Sequence, residues 1–217
     1  EKQKETDHYQ IQSLPINSGV FCLKKDRFQD VVWIGTDGQG VYLYSNPLYS
    51  IKSMVLSNYT EKIERPVRAI YLDDERTFWV GTKGNGILKI YDYEFDKNIS
   101  DCRAEVLTTS NSALSSNAVY CFAKSHRNLL WIGDEEGLTY YSYREKRIKS
   151  IPIRIGNEDF KYIHDIYETA DSELWLASVG MGVVKARIAG TPDNPVIVDA
   201  QRYIINDGEL GSNYFFT

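Results

Sequence analysis

The sequence predicts an all-β chain of β-propeller blades: four consecutive four-stranded antiparallel blades that form an incomplete part of a larger propeller. Three observations carry this. First, the four tryptophans head near-copies of one phrase: Val32-Trp33-Ile34-Gly35-Thr36, Phe78-Trp79-Val80-Gly81-Thr82, Leu130-Trp131-Ile132-Gly133-Asp134 and Leu174-Trp175-Leu176-Ala177-Ser178. Second, the Trp-to-Trp spacings of 46, 52 and 44 residues suit four-stranded blades rather than helical-pair solenoids. Third, aromatics make up 13% of the 217 residues, including sixteen Tyr, and long apolar helical stripes are missing, which favours strands.

Each blade can be followed strand by strand. The first strands are expected at Val20 to Leu23, Val67 to Ile70, Val119 to Phe122 and Ile163 to Ile166, and the Trp phrases form the second. The third begin at a glycine: Gly40 to Tyr44, Gly86 to Tyr91, Gly137 to Tyr141 and Gly182 to Lys185. Turn pairs such as Asp37-Gly38, Asn85-Gly86 and Asp207-Gly208 punctuate these short runs. Weaker outer strands are expected at Ser53 to Leu56, Arg103 to Leu107, Arg147 to Ile153 and Val196 to Ile204. The blades then span 19–57, 65–108, 116–154 and 160–205. Residues 8–18 read as an outer strand of a preceding blade plus a link, with Tyr9 to Leu14 as the strand, and 211–217 as the start of a further blade. The unpaired edges left at both ends call for other blades or a second copy of the chain.

Composition narrows the partners. The net charge of −5 is small and of the wrong sign for nucleic acid or anionic lipid, which favour clustered Lys and Arg. No apolar run approaches the roughly 18 residues of a membrane span. The first seven residues hold no apolar h-region, so neither anchor nor signal peptide is expected in this stretch. Cys22, Cys102 and Cys121 are odd in number and show no paired spacing, which indicates neither a disulfide framework nor a zinc site.

Antiparallel strand order gathers the entries to the first strands and the loops after each Trp phrase on one surface, where recognition on a rigid scaffold usually sits. The first group offers Phe21, Arg68, Tyr120, Tyr162 and His164. The second offers Asp37, Gln39, Lys83, Asn85, Asp134, Glu135 and Met181. These positions vary while the framework repeats. Aromatic faces beside Arg, Asn, Gln and carboxylates suit a sugar: rings stack on pyranose faces and the polar groups bond hydroxyls.

Catalytic signatures are not found in the sequence. His8, His126 and His164 are scattered, and Cys22 and Cys121 hold equivalent first-strand positions where a small buried side chain fits. Asp134-Glu135-Glu136 lacks the spaced oxygens of a calcium loop, and Asp73-Asp74-Glu75-Arg76 reads as a polar hairpin. No metal, no cofactor and no catalysis are expected of this segment.

The phrase Ser116-Asn117-Ala118-Val119, followed by Leu130-Trp131-Ile132-Gly133 and then Gly137-Leu138 and Tyr140, resembles the two-component regulator propeller repeat. The resemblance covers all four repeats and both partial ends. It departs at Ala177-Ser178 in place of Gly-Thr, at Asp134 in place of Thr, and at Arg65-Pro66 in place of Ser-Asn. It implies seven-bladed propellers in the periplasmic sensor of an inner-membrane-anchored hybrid two-component system. There an oligosaccharide ligand would be detected and the signal passed to a histidine kinase outside this chain, switching on genes for glycan breakdown. The alternatives are a protein-interaction propeller, which asks for a large apolar top patch, and a propeller lyase or glycosidase, for which His164, Arg68 and Tyr120 would be the starting set.

Overall fold

The computed structural model describes residues 13–45, 50–54, 64–93, 102–208 and 210–216. Four antiparallel four-stranded sheets follow one another along the chain, each a meander whose strands lie side by side in chain order. The first blade holds β1 (Val20–Lys25), β2 (Val31–Thr36), β3 (Val41–Ser45) and β4 (Ser50–Ser53). The second holds β5 (Val67–Leu72), β6 (Phe78–Thr82), β7 (Ile87–Ile90) and β8 (Ala104–Leu107). The third holds β9 (Val119–Lys124), β10 (Leu129–Asp134), β11 (Leu138–Ser142) and β12 (Arg147–Ile151). A two-stranded hairpin, β13 (Arg154–Ile155) with β14 (Glu158–Asp159), precedes the fourth blade. That blade holds β15 (Ile163–Glu168), β16 (Glu173–Ser178), β17 (Gly182–Thr191) and β18 (Asn194–Tyr203). Among the described residues the only helical turn is Ile205–Asp207.

The first strands β1, β5, β9 and β15 pack against one another in succession, so consecutive blades are set around a common inner row. This is the arrangement of β-propeller blades. The repeated Trp and Gly of each phrase make the joints between them. Trp33 stacks on Phe78 of the next blade at 3.8 Å between ring centroids, and Trp79 meets Tyr141 of the third blade edge-on at 4.8 Å. Trp131 reaches across to the fourth blade and donates to Glu168 Oε2 at 2.7 Å. Trp33, Trp79 and Trp131 are buried.

Trp175 differs. The sequence predicts burial for all four tryptophans, yet Trp175 is only half-buried. Its ring stacks on Tyr203 of its own sheet, because among the described residues no further blade covers that face.

The glycine two residues after each Trp lets the next blade approach. A Cβ on Gly133 would lie 2.6 Å from the Ile163 carbonyl oxygen and 2.5 Å from Cys121 Sγ. On Gly35 it would meet Val67 Cγ1 at 2.8 Å, and on Gly81 Val119 Cγ1 at 2.9 Å. The fourth repeat carries Ala177 at this position, on the face that no described blade covers. Gly133→Ala is therefore expected to lower stability by about 1–3 kcal/mol, the usual cost of overpacking a tight joint. A shift in the urea midpoint at unchanged m value would report it.

Several sequence expectations shift. The fourth outer strand starts earlier than the predicted Val196, and β17 and β18 are each ten residues long because their hairpin extends to the turn at Thr191 and Asn194. The first outer strand lies earlier than expected, β4 meeting the Ser53 to Leu56 expectation only at Ser53; Met54 forms no strand and residues 55–56 fall outside the described residues, as do residues 8–12 of the expected preceding strand, while Ser13 and Leu14 form no strand. Residues 212–216 make one β-bridge rather than a strand, Tyr214 with Val179. Their hydrogen bonds nevertheless repeat those of the Ser116-Asn117 phrase. The Asn117 carbonyl accepts from the Gly84 and Gly86 N–H groups at 2.9 Å, and the Asn213 carbonyl accepts from Gly180 at 2.9 Å and Gly182 at 3.3 Å. The Asn side chains match too: Asn117 Oδ1 takes Thr109 N–H and Asn213 Oδ1 takes Ile205 N–H.

Candidate functional site: a row of bulged residues

Each first strand skips one residue in its pairing with the second. In the first blade Val20 pairs with Thr36 and Cys22 with Gly35, leaving Phe21 unpaired. The same slip leaves out Arg68 between Val67 and Ala69, Tyr120 between Val119 and Cys121, and His164 between Ile163 and Asp165. A β-bulge frees its extra residue from the ladder and re-aims it, and bulges concentrate beside functional sites. Four of the predicted rim residues thus owe their position to one repeated irregularity. Phe216 occupies the matching place after Ser212-Asn213, as Tyr120 does after Ser116-Asn117. The row reads Phe21, Arg68, Tyr120, His164, Phe216.

These side chains meet in neighbouring pairs. The Arg68 guanidinium lies 3.7 Å over the Phe21 ring. Tyr120 and His164 stack at 4.1 Å with an 18° interplanar angle, and Phe216 closes on His164 edge-on at 5.7 Å. Tyr120 is buried, whereas Phe216 is 71% exposed. Burial, followed by the charges of Arg68 and then Lys83, lowers the His164 pKa to about 4. The imidazole is therefore neutral at pH 7, and the positive charge of the rim resides on Arg68 and Lys83. Burial also raises the Tyr120 hydroxyl, with Glu135 adding to the effect and Arg68 opposing it.

A histidine with a depressed folded pKa binds its proton less readily folded than unfolded. Stability contributed by neutral His164 is fully present above the unfolded pKa near 6.5 and is lost as pH falls toward 4. His164→Phe keeps a ring for Tyr120 and removes the titration. Wild type is expected to lose stability relative to this variant on going from pH 6.5 to pH 4, and the difference should level off below. Denaturation midpoints across that range check it.

The remaining rim candidates separate into two groups. Lys83 is exposed on the turn after the second Trp phrase, beside half-buried Asn85; Tyr162 is 42% exposed and donates its N–H to the Glu135 carbonyl. Glu135 accepts from Ser116 Oγ. Asp37 and Gln39 stay with the first blade, where Gln39 bonds the Asn17 carbonyl and Tyr42 Oη. Met181 is half-buried, its sulfur facing the Lys161 N–H.

Asp134 departs from the expectation of a rim ligand. It is fully buried and accepts from Ser115 Oγ and from the N–H groups of Glu136 and Gly137. Burial pushes its carboxyl up to about 6 against the lowering effect of those donors. The reason lies in the repeat, because Asp134 fills the slot of Thr36 and Thr82, whose hydroxyls close the same turn on Gly40 and Gly86.

A second concavity, absent from the sequence reading, opens between the second and third blades. It encloses about 240 Å³ and is lined by Trp79, Lys89, Tyr91, Glu105, Tyr141 and Tyr143 among others. Lys89 is fully buried, its ammonium 4.5 Å from the Trp79 ring and 4.3 Å from Tyr141. Burial alone would lower its pKa, but hydrogen bonds to Tyr91, Glu105 and Tyr141 outweigh that and raise it. The ammonium reaches Glu105 Oε1 at 2.9 Å and donates to Tyr141 Oη at 3.2 Å. The available sequence signal was the partner of each Trp across the second and third strands, which is Lys89 in the second repeat and Lys185 in the fourth.

The thiols are structural in geometry. Cys22 and Cys121 point at the carbonyls of Val67 and Ile163 in the next blade, and burial raises both, Cys22 to about 11. Among the described residues no group of three His, Cys, Asp or Glu side chains is placed to hold a metal ion.

Fold and site together define a run of β-propeller blades with an aromatic and cationic row at the entry to its inner strands. No protein-family model matches the chain. It is similar to the extracellular domain of BT3049 from B. thetaiotaomicron, described as a hybrid two component system, with a TM-score of 0.64 and 23% identity over 90% of this chain and 24% of that one. It is also similar to PorZ, a surface component of the type-IX secretion system of Porphyromonas gingivalis, with a TM-score of 0.65 and 15% identity over 90% of this chain and 28% of that one. At these identities the likeness is one of fold. Among curated proteins, translation initiation factor 6 of Saccharolobus solfataricus is 31% identical over 140 residues, 58% of this chain and 57% of that protein. The chain thus spans about a quarter of each of the two solved structures and just over half of the initiation factor.

Proposed function

We propose that this chain is a ligand-sensing propeller segment of a periplasmic hybrid two-component sensor, that its rim binds glycan fragments, and that the signal passes to a histidine kinase outside the chain. The observation that carries the reading is the bulged row, in which aromatic rings alternate with Arg68 and His164. Ring faces stack on sugars while the interleaved polar groups bond hydroxyls. The likeness in fold to the extracellular domain of BT3049 and the repeat phrase itself support the same reading. Recognition suits the rim better than general-base catalysis does, since a histidine with a pKa near 4 is a weak base at neutral pH.

On this reading the outer faces of the end blades meet further blades or a second copy of the chain. Leu23 on β1 is 65% exposed and Tyr167 on β15 is 66% exposed. A protein-interaction propeller is the second reading, favoured by the exposure of Tyr214 and Phe216 beside the rim. A calorimetric screen of the intact sensor against neutral and charged oligosaccharides separates the two. Saturable sugar binding that Tyr120→Ala abolishes is the expected result, and no sugar binding alongside capture of a partner protein would favour the second reading.

A further inference from the structure

Building on that glycan reading, we propose that the ligand is an anionic sugar, whose carboxylate or sulfate group is held by Arg68 and Lys83 while its ring lies against the Tyr120 side of the rim. The fold leaves positive charge unmatched at the rim. In a chain of net charge −5, many surface cations are met by carboxylates, as Lys25 is by Asp30, Arg144 by Asp193 and Lys161 by Glu136. Arg68 and Lys83 have no carboxylate partner among the described residues. Glu135, whose charge reaches Tyr120, is occupied by Ser116 Oγ instead.

Arg68 is held ready for a ligand. Its guanidinium is stacked on Phe21 at 3.7 Å, and its Nε is buried with no hydrogen-bond partner. A buried, unsatisfied N–H is costly to the folded state and calls for an acceptor. Nε itself lies out of reach of solvent, so a ligand would meet the two terminal Nη groups, whose parallel donors match two oxygens of one carboxylate or sulfate. The other buried unpartnered side-chain atom among the described residues is Asn85 Oδ1. It lies on the same turn as Lys83.

The fields of both cations converge on the aromatic pair. Arg68 and Lys83 each act on His164, and Arg68 acts on Tyr120 as well. Arg65 adds a third positive group, its side chain 3.5 Å from where a Cβ on Gly84 would stand. At Tyr120 the charge of Glu135 opposes that of Arg68, so the anionic group belongs on the Arg68 and Lys83 side, where both cations act on His164, and the uncharged part of the sugar ring lies towards Tyr120.

The test titrates the full chain by calorimetry with trigalacturonate, with a galactose-6-sulfate disaccharide, and with neutral galactotriose and maltotriose. At least one anionic sugar should bind about tenfold or more tightly than the neutral ones, and which of the two does so assigns the group. Lys83→Gln, at an exposed position, and Arg68→Gln should each weaken that binding about tenfold and leave neutral sugars unaffected, as loss of a charge-assisted bond does. Neutral sugars binding as tightly as anionic ones, or Lys83→Gln without effect, would overturn the anionic assignment while leaving the glycan reading in place. Failure of every sugar to bind would overturn both.

Discussion

Trp79→Ala is expected to destabilise the protein by about 3–5 kcal/mol, as truncation of a fully buried large aromatic does, whereas Trp175→Ala is expected to cost about 1 kcal/mol. The two residues hold the same place in the repeat. Trp79 is sealed by Phe122 and Tyr141 of the next blade and by Lys89 across its own sheet. Among the described residues, Trp175 has Tyr203 and Lys185 of its own sheet over its ring. The contrast isolates the contribution of the neighbouring blade, and equal losses at the two sites, measured by denaturation, would show that the interblade joint contributes little.

The second large effect lies at the other end of the same indole. Asp73, buried in the hairpin between β5 and β6, accepts from the N–H groups of Glu75 and Thr77 at 2.9 and 2.8 Å and from Trp79 Nε1 at 2.9 Å. The Asp73 charge also acts on Tyr143 of the third blade, where burial is the main cause of a raised hydroxyl pKa. Asp73→Ala would strand these donors in the interior, at an expected cost of about 3 kcal/mol. Asp73→Asn, which keeps one acceptor oxygen for the hairpin, should fall between. The effect should be strongly non-additive with Trp79→Phe, because the two residues share a bond. Asp26 makes the same arrangement with Trp33 in the first blade. In the third blade Ser125 stands at that place, and Trp131 turns to Glu168 of the fourth blade instead.

The meander of four blades was legible because strand periodicity and the Trp-Gly phrase are local properties of the chain. The burial of Trp33, Trp79 and Trp131 followed from the same phrase. The half-exposure of Trp175 was not legible, since it depends on what stands beyond the sheet rather than on the residues within it. The bulges at Phe21, Arg68, Tyr120 and His164 were hidden for a related reason. A one-residue slip in pairing leaves no mark on alternation within a single strand and becomes visible only in the register of two. Asp134 could have been placed correctly, because its position in the repeat is that of a turn-closing threonine. Phe216 was equally accessible from the repeat, through the phrase it shares with Tyr120. Asp73 reads as a polar hairpin residue until its distance to the Trp79 nitrogen is known.

Chemical-shift mapping of the isotope-labelled chain, titrated with the oligosaccharide that binds it most tightly, tests most directly whether the bulged row is the recognition surface. Perturbations are expected to centre on Arg68, Lys83, Tyr120, His164 and Phe216, with the Tyr120 and His164 ring resonances moving together because the rings are stacked. Perturbations confined to the cavity around Lys89, Tyr91 and Glu105, with the rim silent, would contradict that role for the bulged row.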